Sequence, residues 1–89
     1  MDSTSLIEER ERQFAAALKA DGLRMTHQRL EVIRELARAT DHPDADTIFR
    51  AVRDRVPTIS LDTVYRTLGT LEARGLIERI EAPGAARFD

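Results

Sequence analysis

Apolar positions recur at helical spacing in four separate segments of the chain, so the sequence predicts four α-helices. Thr26 and Ser60 come immediately before the second and fourth helices and are predicted to cap them. Gly22 and Gly75 follow the first and fourth helices, where glycine is a favoured residue. The third helix is expected to stop before Pro57. The predicted helices cover residues 5–20, 27–38, 44–55 and 61–74.

The apolar stripes of these helices define the core that the sequence predicts. The residues expected to be buried are Phe14, Ala17 and Leu18, then Leu30, Ile33 and Ala37, then Ile48, Phe49 and Val52, and finally Leu61, Val64, Leu68 and Leu71. The last stripe is narrow, so the opposite face of the fourth helix is expected to meet solvent or a partner. That face carries Thr63, Arg66, Thr67, Thr70 and Arg74.

Beyond the fourth helix, the helical spacing gives way to a pattern typical of a β-hairpin. Residues 76–81 are rich in β-branched side chains, Pro83 and Gly84 are a turn signal, and residues 86–89 fit a returning strand. The predicted fold class is therefore mainly α with a small β-hairpin, in the order of a winged helix-turn-helix. We expect residues 1–89 to form this one winged-helix domain, since the length suits a single domain.

The composition is that of a folded domain and narrows the possible chemistry. Hydrophobic residues make up 42% and charged residues 34% of the chain, which excludes a disordered segment. The sequence has no cysteine, so it forms no disulfide and no thiolate metal site. It has two histidines, no glycine-rich phosphate loop and no arguable nucleophilic triad, so an enzyme is not expected. We see no secretory signal and no membrane-spanning run, and we expect a cytoplasmic protein.

The net charge and its distribution point in different directions. The chain carries a net charge of −2, whereas nucleic-acid binders are often basic. Residues 22–38 nevertheless hold four arginines against two glutamates. DNA binding and a winged helix that contacts another protein both remain open, and a positive stripe along Arg24, Arg29 and Arg66 would favour DNA. The charged residues of that segment are Arg24, Arg29, Arg34, Arg38, Glu31 and Glu35.

The fourth helix, residues 61–74, has the composition expected of a helix that enters the DNA major groove. Its hydroxyl side chains are short enough for close approach, and Arg66 and Arg74 supply donors for base edges and phosphates. Tyr65 flanks this face, where its ring could pack on a thymine methyl and its hydroxyl could reach a phosphate. Asp62 lies in the first turn, where the helix dipole favours a negative charge. An ordinary solvated face, with Tyr65 at the rim of the core, is the alternative interpretation.

Three segments of the chain resemble the ferric uptake regulator (Fur) family. They are residues 22–29 (GLRMTHQR), 59–68 (ISLDTVYRTL) and 71–77 (LEARGLI), within a resemblance that extends from Leu18 to Asp89. The resemblance implies a dimeric, metal-dependent bacterial transcription regulator, most members being repressors. It also implies that an N-terminal winged-helix domain binds DNA, while a C-terminal domain dimerises and holds most of the metal ligands.

The same resemblance assigns particular residues to DNA. It implies base contacts by Tyr65 and Arg66, insertion of Arg24 into the adjacent minor groove, and positions for Gln28 and Arg29 near the DNA backbone. Together with the capping and hydroxyl residues, these define a predicted set that contacts double-stranded DNA. The set is Arg24, Thr26, Gln28, Arg29, Ser60, Thr63, Tyr65, Arg66, Thr67 and Thr70.

Part of a metal site is implied as well. Residues 39–43 and 87–89 resemble the peroxide-sensing (PerR) branch of the family. In that branch, residues at the positions of His42 and Asp89 join ligands from the second domain around Fe(II) or Mn(II). The alternative for His42 is a helix-capping or exposed loop histidine.

Two departures from the family pattern qualify these expectations. His27 occupies a position where many members have proline, which changes little. The chain ends at Asp89, where a member would enter its dimerisation domain, so we expect an isolated DNA-binding half. Such a half is expected to be mainly monomeric and without a cofactor, whereas the full-length protein would be a homodimer that binds Fe(II) or Mn(II).

Overall fold

The computed structural model describes residues 3–89 and confirms four helices followed by a two-stranded hairpin. Residues 1 and 2 of the predicted domain lie outside the described range. Helix α3 is shorter than expected because residues 54 and 55 form a turn, and each strand is only two residues long. No helix in the described range has the length and apolar character needed to cross a membrane. The elements are α1 (Ser3–Ala20), α2 (His27–Arg38), α3 (Ala45–Arg53), α4 (Leu61–Ala73), β1 (Arg79–Ile80) and β2 (Arg87–Phe88).

The predicted helix caps are confirmed. The side-chain oxygens of Thr26 and Ser60 each accept the backbone N–H three residues later, at 3.2 and 3.1 Å. Gly22 and Gly75 have φ angles of 80° and 74°, a conformation that costs glycine little and other residues more. The N–H after each glycine donates to a carbonyl five residues earlier, which closes both helices with a Schellman motif. Both ends of α4 are therefore fixed by local sequence.

Helix α2 lies at the centre of the core and packs against α1, α3 and α4. It buries more than the predicted stripe, because three neighbours cover it, and Leu30 is only half-buried. Phe49 of α3 is likewise half-buried rather than part of the core interior. The buried apolar side chains are Phe14, Ala17, Leu18, Val32, Ile33, Leu36, Ala37, Ala45, Ile48, Val52, Val56, Ile59, Val64, Leu68, Leu71, Ile77 and Phe88.

The buried face of α4 differs from the predicted stripe at two positions. Leu61 is 39% exposed, because it lies in the first turn of the helix. Thr67, expected on the outer face, is fully buried instead, and its hydroxyl donates to the Thr63 carbonyl oxygen at 2.8 Å. The buried residues therefore follow i, i+3, i+4, i+7 spacing, the wider face typical of a helix packed on a core. These residues are Val64, Thr67, Leu68 and Leu71.

The hairpin is anchored to the helical core rather than projecting freely. Its strands are antiparallel, with Arg79 opposite Phe88 and Ile80 opposite Arg87. The backbone N–H of Phe88 also donates to the Pro43 carbonyl oxygen at 3.0 Å, and Asp44 forms a single bridge with Arg87. The segment before α3 thus pairs with β2, while the Phe88 ring enters the core.

Ion pairs connect elements that are distant in the sequence. Glu31, a buried residue of α2, accepts from Arg55 after α3 at 3.2 Å. Arg74, which the sequence placed on the DNA-facing side of α4, lies 3.3 Å from Asp21 at the end of α1. The Arg74 guanidinium thus joins α4 to the turn after α1 while staying exposed, and its contact with DNA stays a prediction.

Candidate nucleic-acid interface

The exposed face of α4 is positioned by the cap at Ser60. The Ser60 hydroxyl lies 2.9 Å from the Thr63 hydroxyl as well as accepting the Thr63 backbone N–H. Thr63 and Thr70 are half-buried, so each presents part of its side chain at the surface. Thr67 does not, since its side chain is buried in the core. Two of the three predicted threonines on this helix, Thr63 and Thr70, therefore remain partly at the surface beside the exposed cap Ser60, and Thr67 is removed from the surface set.

Tyr65 and Arg66 are large, exposed side chains in the first two turns of α4. Tyr65 is 51% exposed, so it is neither a core residue nor fully extended into solvent. The Arg66 guanidinium is more exposed, and its Nε lies 2.9 Å from Oδ2 of Asp62. Sequence reasoning treated Asp62 only as a helix-dipole residue and missed this contact. The i, i+4 spacing of an acid and an arginine on a helix was the signal that could have found it.

The loop between α1 and α2 presents Arg24 beside the start of α2. Arg24 is exposed, while Arg29 is half-buried and donates from Nη1 to the Arg24 carbonyl oxygen at 2.6 Å. Gln28 is also half-buried. Arg29 thus holds the backbone of the loop that carries Arg24, a role that the sequence did not reveal.

The expected arginine stripe is partly neutralised by neighbouring acids. Arg34 lies 3.5 Å from Glu31, and Arg66 is paired with Asp62. Arg24 remains an exposed cation, and only its carbonyl oxygen has a hydrogen bond among the contacts of the described residues. Within the stripe of Arg24, Arg29 and Arg66, only Arg66 therefore has an acidic partner among the described side chains, because Arg29 donates to a backbone carbonyl.

The structure brings His42 and Asp89 together, although 46 residues separate them in the sequence. Nδ1 of His42 lies 3.4 Å from Oδ1 of Asp89, and both side chains are at least half exposed. The pairing of β2 with the segment before α3 causes this approach. An imidazole and a carboxylate suit Fe(II) or Mn(II), but no cluster of three or more potential ligands exists in residues that the structure describes. The two donors are of the types that such an ion prefers, but two donors are fewer than it needs.

The N-cap of α3 lies next to this pair. Asp44 accepts the backbone N–H of Thr47 at 2.8 Å. Hydrogen bonds from the side chain and then the backbone of Thr47 lower the pKa of Asp44. Arg87 also favours the charged form of this carboxyl. The acid therefore stabilises the start of α3 as an anion.

A helix-turn-helix formed by α3 and α4, flanked by an anchored two-stranded hairpin, defines a winged-helix domain. The exposed helix α4 has the place and the side chains of a recognition helix in that class. The model of the ferric uptake regulator family matches residues 20–89. The chain belongs to this family, as the sequence resemblance predicted.

Individual relatives agree with this membership. The ferric uptake regulation protein of Brucella abortus is 44% identical over 77 residues, which cover 85% of this chain and 55% of that protein. The peroxide-responsive repressor PerR of Staphylococcus epidermidis is 34% identical over 75 residues, which cover 83% of this chain and 50% of that protein. The solved structure of the Helicobacter pylori ferric uptake regulator, described as having three functional metal binding sites, has a TM-score of 0.79. Its sequence identity to this chain is 27%. The match covers 93% of this chain and 56% of that protein.

The chain thus spans about half the length of the curated relatives that it matches. These relatives are named as regulators and repressors, and the family consists of transcription regulators rather than enzymes.

Proposed function

We propose that this chain is the DNA-binding half of a metal-dependent bacterial transcription repressor that acts in the cytoplasm. Helix α4 enters the major groove, while Arg24 reaches the adjacent minor groove. The observation that carries this proposal is the exposure of Tyr65 and Arg66 on the first two turns of a helix whose ends are both fixed. Recognition helices contact bases near their N-termini, where these two side chains lie. Membership in a family of regulators favours DNA over the alternative of a protein partner.

Replacement of Arg66 by alanine tests base reading. A bidentate arginine–guanine contact contributes about 1–3 kcal/mol to discrimination, so Arg66→Ala is expected to weaken binding to a selected duplex by that amount. Binding to a scrambled duplex should change much less. Fluorescence anisotropy with both duplexes measures the difference.

The chain offers a matched control for this experiment. Arg50 of α3 pairs with Asp46 at 3.0 Å in the same i, i+4 arrangement and is similarly exposed. Arg50→Ala therefore removes an equal charge from a helix that we do not assign to base reading. An equal loss of affinity on both duplexes in Arg66→Ala would assign Arg66 to phosphate and contradict base reading.

We further infer that His42 and Asp89 are half of a regulatory site for Fe(II) or Mn(II), completed by ligands from a second domain. Such a site would fix the wing and the loop before α3 relative to that domain, and so set the spacing of two recognition helices in a homodimer. Two ligands are too few to retain these ions against water, since they favour about six donors. Calorimetric titration of this chain with Mn(II) should therefore reveal no micromolar site. A micromolar site that His42→Ala abolishes would contradict the need for the second domain.

The oligomeric state follows from the same proposal. We expect the 89-residue chain to be mainly monomeric and to bind DNA weakly, because joining two half-site contacts raises avidity by roughly 10²–10⁴. Analytical ultracentrifugation at micromolar concentration should show a monomer. A stable dimer, or nanomolar binding at physiological salt, would contradict this expectation.

A further inference from the structure

Asp62 and Arg66 form an exposed ion pair on the proposed recognition helix. The Arg66 Nε lies 2.9 Å from Asp62 Oδ2. The Asp62 side chain is 72% exposed and the Arg66 side chain is 74% exposed. A pair of this kind on an isolated helix changes a folding equilibrium by only about two-fold. Its larger consequence is geometric, because the contact limits the rotamers of a long side chain at the surface that would meet DNA.

The atoms that form the contact leave the rest of the guanidinium available. Arginine has five N–H donors in one plane, and the Asp62 carboxylate lies against the Nε end of this guanidinium, with 2.9 Å between Nε and Oδ2. The two terminal nitrogens remain for a bidentate contact to O6 and N7 of guanine, the commonest specific arginine contact in the major groove. Asp62 therefore holds the side chain without consuming the nitrogens that read a base.

The carboxylate also changes what Arg66 can do with phosphate. Asp62 cancels the positive charge of its partner at close range and adds a negative charge to a surface that would face the DNA backbone. Attraction of this pair to any duplex, whatever its sequence, is therefore small. A paired arginine gains from DNA mainly through directed hydrogen bonds to a base edge.

We propose that Asp62 is a positioning residue for base recognition: it holds Arg66 for guanine and suppresses contact with phosphate. This inference rests on the proposed function, since it requires α4 to meet the major groove. Fixing a flexible side chain before binding saves ordering entropy that corresponds to about a 2- to 12-fold change in affinity. Asp62→Ala is therefore expected to lower the ratio of selected to scrambled affinity by about 2- to 12-fold.

The experiment uses the 89-residue chain and duplexes selected from a randomised pool at low salt. Affinity for selected and scrambled duplexes is measured for the wild type, Asp62→Ala, Asp62→Glu, Arg66→Ala and the double variant of residues 62 and 66. In Asp62→Ala, affinity for the scrambled duplex should rise, and the slope of log affinity against log salt should steepen by about 0.9, the value for one added phosphate contact. Asp62→Glu, which retains an acid at i, i+4 spacing, should restore discrimination.

Two controls separate positioning from a general charge effect. Asp46→Ala removes the acid of the matched pair in α3 and should leave the ratio of affinities unchanged. In the Arg66→Ala background, removal of Asp62 should no longer change that ratio. Circular dichroism at the assay temperature establishes that every variant is folded.

The outcomes distinguish this inference from the proposed function. One outcome is that the wild type selects a motif that Arg66→Ala loses, while Asp62→Ala has the same ratio of selected to scrambled affinity as the wild type. That outcome refutes the positioning role of Asp62 and leaves the proposed function standing. If the wild type selects no motif, both proposals fail. A lower ratio in Asp62→Ala, restored by Asp62→Glu and absent without Arg66, supports the inference.

Discussion

Replacement of Phe88 by alanine is expected to destabilise the whole domain, although Phe88 lies in a strand of only two residues. Its side chain is 2% exposed and belongs to the same apolar cluster as the helices. Truncating a buried phenylalanine to alanine costs about 3–5 kcal/mol. A domain of 89 residues has a total stability of about 4–13 kcal/mol, so this one change removes a large part of it.

Phe49 provides a control with the same chemical change. It lies inside α3, but its ring is only half-buried and has the Arg53 guanidinium 5.2 Å from its centre. Phe49→Ala is therefore expected to cost less, below about 2 kcal/mol, because less apolar surface is returned to water. Urea denaturation followed by circular dichroism gives both free energies of unfolding, and equal slopes would show that the unfolded states are comparable.

The order of these two costs tests the account of the wing. A loss at Phe88 smaller than the loss at Phe49 would mean that the hairpin is a peripheral attachment rather than part of the core. A loss below about 1 kcal/mol at Phe88, the range typical of surface changes, would lead to the same conclusion.

Three further outcomes are expected. Thr67→Val should change the free energy of unfolding by less than about 1 kcal/mol, since the lost hydrogen bond is offset by removal of a buried hydroxyl. DNA affinity should stay within about two-fold of the wild type. A loss of affinity of about ten-fold without loss of stability would return Thr67 to the DNA surface. The lowered pKa of Asp44 means that its charge stabilises the fold above the unfolded pKa of about 4, and that this contribution is lost as the pH falls through the lower folded value. Asp44→Asn keeps a good cap without the charge. In urea titrations, the free energy of unfolding of the wild type should exceed that of the variant at neutral pH, and this difference should disappear below about pH 4. A difference that does not depend on pH would contradict the assignment. Glu31→Ala should cost about 0.5–1.5 kcal/mol, because it removes one acceptor of a partly exposed Arg55 that still has Glu35 nearby. A neutral result would show that the Glu31–Arg55 pair does not connect α2 to the turn after α3.

Local signals in the sequence were sufficient for the helices and for the family. The caps at Thr26 and Ser60 and the positive-φ glycines act within a few residues, so their effects can be deduced without knowledge of the neighbours. The predicted α1 core residues Phe14, Ala17 and Leu18 are all buried, because α1 packs against α2 and α4. The segment 59–68 likewise carries enough specific residues to indicate the family by itself.

Tertiary packing decided which side chains of α4 remain at the surface. Periodicity assigned Leu61 to the core and Thr67 to the outside, and both assignments are wrong because the surrounding elements set how wide the buried face is and where along the helix it begins. Thr67 could be buried because its hydroxyl finds a carbonyl one turn earlier, which satisfies its only donor.

Contacts across long sequence separations also depended on the tertiary structure. The sequence by itself determined the four helices, the caps and closing glycines of α2 and α4, the hairpin, and most of the residues proposed to bind DNA and metal. Only the fold placed His42 beside Asp89, turned Arg74 toward Asp21 and brought Phe88 into the core. The physical reason is that helix periodicity and capping act over one or two turns, whereas these contacts depend on how β2 pairs and how the helices cross, which no local pattern encodes.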